Sequence, residues 1–393
     1  MGTEATSQSE SASEYGRVRL YESSDRDDFL SLYESVWGRH KSADWFDWRF
    51  DANPYRDGVQ MVVAEREGEL VGAEPLLPFR LRAGSTTIDA YQPVDWIVHA
   101  DHRRRGLFTR MTERLLAAYT DADLFFNFPT DVLRPGLAKF DWQAVGEVPM
   151  SYRVHDPRHL RDESASNGAR LADAALSVGG TATRLGASVL DRLNAPSSDV
   201  TVDRHEEVPV ETLVELYTAA VPQRLHVTRD EQFLRWRFAN PNWDTTTYVA
   251  SKGGRPVASV VAARERLDGF TCTHLLDVQP MVTSALETGA FAALLSAVVA
   301  DHRDADLLKA PANVHPDLLR RFLFFEDTAF PLSRVTTTST QVVRPLSIDS
   351  GGAVPRENGA SRGDGGDDPW QVAGLDLTDP ESWHLTLADV DIE

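Results

Sequence analysis

The sequence predicts a mixed α/β chain made of two tandem, related domains. Two observations carry that expectation. One is an internal duplication that extends over more than a hundred residues. The other is a turn of three arginines and a glycine, set between an apolar strand and an amphipathic helix. At 393 residues the chain is long enough for two or three cores.

The duplication is read directly. Trp45-Phe46-Asp47-Trp48-Arg49-Phe50-Asp51-Ala52-Asn53-Pro54 reappears, one residue shorter, as Phe233-Leu234-Arg235-Trp236-Arg237-Phe238-Ala239-Asn240-Pro241. Val63 to Gly72 matches Val249 to Ala258, each a hairpin of alternating strands around a polar turn. Asp95 then aligns with Asp277, Asp123-Leu124 with Asp306-Leu307, and Lys139-Phe140 with Arg321-Phe322. Domains are expected at 17–153 and 200–345. Each opens with a helix, Phe29 to Trp37 and Val210 to Val221. In the first copy strands follow at 59–65, 70–82, 87–99, 123–128 and 142–153, with the second copy in step.

The turn reads Asp101-His102-Arg103-Arg104-Arg105-Gly106-Leu107-Phe108. Leu107, Phe108, Met111, Leu115 and Leu116 recur at helical spacing, so a helix is expected from Gly106 to about Tyr119. Helix N-termini present amides without intrahelical partners, and the macrodipole adds positive charge there. Glycine admits an anion to the backbone, and arginine adds forked donors. Such a turn suits a pyrophosphate.

Arg103, Gly106 and Phe108 occupy the fixed positions of a strand-following Arg/Gln-x-x-Gly-x-Gly/Ala pattern, with Phe in place of the usual small residue. This resembles the acyl-CoA signature of the GNAT superfamily of N-acetyltransferases. The wording His-Arg-Arg-Arg-Gly-Leu is most similar to its tandem-domain branch, which includes the enhanced intracellular survival acetyltransferases. The resemblance implies two tandem GNAT-like acyl-CoA N-acyltransferase domains over about 290 residues. It also implies acetyl-CoA as co-substrate, a small amine or amino sugar as acceptor, and no metal. Backbone groups at Ile97, Val98 and His99 would hold the pantetheine arm and the acetyl oxygen, and Arg103, Arg104, Arg105, Gly106, Leu107 and Phe108 the pyrophosphate. Asn127 is either a further contact to the arm or a turn residue. The tyrosine that protonates the leaving thiolate in many members is Ala138 here.

Glu74, Asp95 and His99 are candidate bases near the expected cleft. Asp95 has a counterpart in the other copy, which favours a structural role, and His99 reads equally as a surface histidine. Catalysis is assigned to Glu74 and His99. In the second copy Ala285, Leu286 and Glu287 replace the three arginines, and a carboxylate there would repel a pyrophosphate. One cofactor per chain is expected, in the first domain. Trp48 and Trp236 are expected as packing anchors and Arg49 and Arg237 as partners of acidic groups, while Trp45 and Tyr55 could line the acceptor pocket. Asp389, Asp391 and Glu393 could bring a C-terminal carboxylate to the site, as in the enhanced intracellular survival enzymes.

Acidic residues outnumber basic ones 60 to 40, for a formal charge of −20, and lysine occurs only at 41, 139, 252 and 309. That balance argues against nucleic acid as a partner and is the composition of a halophilic surface. Cys272, the lone cysteine, excludes an internal disulfide and reads as a buried small residue. The N-terminus lacks the features of a signal peptide, and no apolar run approaches a membrane span, so a cytoplasmic protein is expected. Residues 1–16 and 346–369 read as disordered. The run from Ala169 to Leu193 reads as a helical hairpin or an interfacial helix, and 370–393 as a segment that packs on a domain. A non-catalytic CoA-binding scaffold and a tRNA-dependent aminoacyl transferase are the competing functions.

Overall fold

The computed structural model describes residues 16–156, 199–267, 269–330, 332–334, 338–347 and 368–391. Apart from their edges, the segments read as disordered and the 169–193 run lie outside the described residues. The chain divides into two units, 1–146 with 341–382 and 147–340 with 383–393.

In the first unit, β1 (Arg17–Leu20), β2 (Met61–Arg66), β3 (Glu69–Ala83) and β4 (Thr86–Pro93) run antiparallel in order. A two-residue strand, β5 (Ile97–Val98), continues β4 and pairs β3. β6 (Leu124–Asn127) joins β4 in parallel. The strand Ser339–Pro345 comes next, antiparallel to β6, and β7 (Gln143–Val148) closes the sheet. Helix α1 (Arg26–Trp37) buries Phe29, Leu32 and Tyr33, and Phe29 packs edge-on to Phe46 at 5.4 Å. It stops at Gly38, whose left-handed φ of 68° lets its N–H reach Glu34 O.

Helix α2 (Leu107–Ala118) lies on the sheet as its spacing dictates. Leu107, Met111 and Leu115 bury with Val62, Ala64, Leu76, Tyr91 and Phe125. Gly72 permits this approach, since a Cβ there would sit 3.0 Å from the Met111 sulfur. A short helix, α3 (Arg134–Leu137), follows β6.

The second unit repeats the plan. Its strands are β8 (Met150–Val154), β9 (Val200–His205), β10 (Asp244–Lys252), β11 (Arg255–Leu267), β12 (Phe270–Gln279), β13 (Leu307–Pro311) and β14 (Phe325–Glu326). They are ordered β14-β8-β13-β12-β11-β10-β9. Helices α4 (Val210–Ala219), α5 (Glu231–Arg237), α6 (Thr288–Asp301) and α7 (Pro316–Arg321) complete it. Phe291, Leu294, Leu295 and Val298 of α6 form its main core with Tyr248, Val260 and Leu308. The two mixed sheets with helices are the α/β class expected.

Several matched residues do the same work in both units. Asp123 Oδ2 accepts from the Asp89 amide and Asp306 Oδ2 from the Thr271 amide, each pinning a parallel strand. Asn53 Oδ1 accepts from the amide two residues on, and so does Asn240 Oδ1, closing equivalent turns. Arg49 pairs with Asp95 at 2.9 Å and stacks on Trp45 and Phe50.

Two expectations need correction. The strand at 87–99 is interrupted at 94–96, where Asp95 takes a φ of 46°. The strand at 142–153 is two strands, β7 and β8, which enter different sheets. Pro149 separates them, and it has no N–H to give a ladder. Arg237 donates to the Ala388 and Val390 carbonyls. The partner of Asp277 is Arg229, at 2.9 Å, which also holds Asp389 at 2.7 Å.

Candidate functional site

The site grows from the divergence of β4 and β6. They pair at Ala90 with Leu124 and at Tyr91 with Phe125. Beyond that point the bulge at Asp95 turns the chain toward β3, where Ile97 pairs with Ala73 and Val98 with Gly72. A left-handed aspartate is strained, and the buried Arg49 guanidinium holds it there. The His99 amide donates to Val71 O at 2.9 Å, so the alternate residue, Val98, turns its backbone groups away from β3 toward the gap. Its carbonyl accepts from Arg103 Nε at 2.9 Å.

At the mouth of the gap the chain makes the basic turn. Arg104 has a φ of 62° and Gly106 of 76°. Left-handed residues alternating with ordinary ones point successive amides into a common concavity, the geometry of an anion nest. Gly106 is the N-cap of α2 and supplies no side-chain cap, so the first amides of the helix stay open. Arg104 and Arg105 are exposed and make no hydrogen bond or ion pair among the described residues. Charge, open amides and helix dipole converge on one place.

The remaining candidates separate by burial. His99 is half-buried, and its Nδ1 accepts from the Asp101 amide at 3.4 Å. Asn127, buried at the end of β6, uses its Oδ1 to accept from the Phe128 amide. Glu74 is fully enclosed under α2, with Oε1 3.1 Å from Thr112 Oγ1. Burial pushes its carboxyl well above the usual carboxylate range, against a smaller opposing effect of the Thr112 contact. Trp45 and Tyr55 are core residues: Trp45 packs on Phe50 at 5.8 Å, and Tyr55 lies under Arg80. Ala138 opens a short exposed turn and brings no proton donor.

Residues 17–145 match the family model described as an acetyltransferase (GNAT) domain. The matched stretch lies within the first unit. Solved structures match the fold over 84% of this chain. A probable N-acyltransferase from Enterococcus faecalis V583, described as a conserved protein of unknown function, is 11% identical with a TM-score of 0.56 over 72% of its own length. A GCN5-related N-acetyltransferase from Anabaena variabilis ATCC 29413 is 12% identical, with a TM-score of 0.55 over 73% of its length. Eis1 from Mycobacterium abscessus is also 12% identical, at a TM-score of 0.46, and carries no further argument. At these identities the likeness is one of fold. No curated protein matches the sequence.

The place in the second unit that matches the basic turn carries a carboxylate. Glu287 is the N-cap residue of α6 and pairs with Lys252 at 2.8 Å, while Leu286 is buried. The chain's own carboxylate thus stands where an anionic ligand would. Asp389 is likewise committed, buried against Arg229, and Glu393 lies outside the described residues. Sequence reasoning missed Arg229 and Thr112. Thr112 had a signal, since it follows Phe108 by one helical turn on the buried stripe. Among the described residues no group of His, Cys, Asp and Glu could hold a metal, and no helix is long and apolar enough to cross a membrane.

Proposed function

We propose that the first unit binds acetyl-CoA at the 103–108 turn and transfers its acetyl group to a primary amine of a small molecule or amino sugar. The observation that carries this reading is the open nest of Arg104 to Leu107 with two arginines that have no hydrogen bond or ion pair among the described residues. The amine nitrogen attacks the thioester carbonyl carbon, charge collects on the carbonyl oxygen, and collapse expels the CoA thiolate. Backbone groups of Val98, turned into the gap, meet the arm and that oxygen in this reading. The ammonium proton goes to His99, because Glu74 is enclosed under the helix and burial disfavours its charged form. With Ala138 in place of a tyrosine, the thiolate departs without an aligned acid, which a good leaving group tolerates. The second unit, with Glu287 in its turn, takes no CoA.

Calorimetry of acetyl-CoA with the wild type and with Arg104→Glu, Arg105→Glu tests the reading. Binding to the wild type and its loss in the double variant is expected, since two attractive charges become repulsive ones. No binding by the wild type would sink the proposal, and binding that survives both substitutions would show that the turn is the wrong place. Release of free CoA across a panel of amines then identifies the acceptor.

A further inference from the structure

Beneath the first two turns of α2 lie two polar atoms that the fold leaves unpaired. Glu74 Oε2 and Trp96 Nε1 are both shut off from solvent, and neither has a hydrogen-bond partner among the described residues. Their backbones face each other across neighbouring strands. Ala73 pairs with Ile97 and Leu76 with Pro93, so Glu74 stands opposite the bulge that carries Trp96. Both meet α2, Glu74 through Thr112 and Trp96 through the Phe108 ring, 5.6 Å away and edge-on. Phe108 and Thr112 are one helical turn apart on the same face.

The proton arrangement follows from counting. Thr112 has one hydroxyl hydrogen and two oxygens in reach, Glu74 Oε1 at 3.1 Å and the Phe108 carbonyl at 2.9 Å. A neutral Glu74 satisfies both contacts, because its own O–H completes the bond to Thr112 while Thr112 donates to Phe108. Oε2 is then a bare acceptor on the strand opposite the one that carries the bare indole donor. Leaving each unpaired forfeits a hydrogen bond that water supplies in the unfolded chain. One acceptor and one donor side by side are the complement of a secondary amide.

The Phe108 ring covers this spot. It reaches from Trp96, on the strand side of the gap, to Phe140 at 6.3 Å beyond β6. Its Cε1 lies 2.9 Å from where a Cβ on Gly136 would stand, so only glycine lets the ring lie there.

We propose that the Phe108 ring closes a polar subsite formed by Glu74 and Trp96, and that this subsite takes a secondary amide of the pantetheine arm when the ring turns aside. The inference rests on acyl-CoA binding at the basic turn. Trp96 donates to the amide carbonyl, and Glu74 Oε2 accepts from the amide N–H.

The test compares acetyl-CoA with the nucleotide half of CoA alone, which has the pyrophosphate but no arm. Trp96→Phe keeps an aromatic ring and removes the donor. It should weaken acetyl-CoA roughly tenfold, the size of one hydrogen bond, and leave the nucleotide half unchanged. Stopped-flow association should quicken more for acetyl-CoA than for the nucleotide half in Phe108→Ala, because only the arm has to pass the ring. Phe108→Leu, which keeps apolar volume, serves if the alanine variant melts early. Equal changes for both ligands, or no change for either, overturn the subsite. Failure of the wild type to bind even the nucleotide half overturns the acyl-CoA reading itself, and this inference with it.

Discussion

Single residues in this protein are decided by what surrounds them. Glu74 is the clearest case, since its sequence position suggested a base and its enclosure pushes its carboxyl well above the usual carboxylate range. A carboxyl whose value is raised on folding binds its proton more tightly in the native state. Its contribution to stability is complete below the ordinary value of 4.5 and is lost as pH rises through the folded value. Melting temperatures followed from about pH 5 to 8 should therefore fall more steeply for the wild type than for Glu74→Gln, which has no proton to lose. Parallel curves would show that Glu74 does not hold its proton. Arg229 illustrates the other side of burial. Its charge is matched by Asp277 and Asp389 and its remaining donors by Val227 O and Thr386 Oγ1, which makes an enclosed guanidinium tolerable.

Elements show where the sequence was legible. The α2 helix was readable because Leu107, Met111 and Leu115 repeat at helical spacing, and its observed span of Leu107–Ala118 differs from the expectation by one residue at each end. The basic turn was readable because its chemistry is local. Two things were hidden. Nothing in the local pattern marks Asp95 as a left-handed break, since the apolar residues run on through it; the break is imposed by Arg49, 46 residues away. Nor does periodicity show that Phe108 and Gly136 meet, because that contact joins α2 to α3 across β6. Gly136→Ala should cost about 1–3 kcal/mol through collision with the ring. In a Phe108→Ala background the same substitution should cost much less, and denaturant melts of the four proteins measure the difference. Equal costs in both backgrounds would show that the ring yields freely.

At the scale of the whole molecule, local patterns said least, because strand partners are chosen by tertiary structure. The duplication revealed two copies, and the two sheets repeat one plan. It could not reveal that the strand beside β6 comes from 339–345, or that β8 enters the sheet of the second copy. A fragment ending at residue 146 lacks the partner of Leu124–Asn127 and leaves the ladder of β6 bare on one side. Such a fragment should show no cooperative thermal transition, whereas the same fragment joined through a linker to residues 338–347 should melt cooperatively. A sharp transition in the shorter piece would show that the borrowed strand is dispensable.

The borrowed strand also sets a clock. Roughly 195 residues separate 146 from 341, and a ribosome adding about 5–20 residues per second needs about 10–40 seconds to deliver them. Throughout that interval the basic turn already exists outside the exit tunnel, on a sheet that cannot close. A chain released before residue 339 therefore carries every arginine of the turn but leaves the ladder of Leu124–Asn127 bare on one side, for want of the strand that pairs with it.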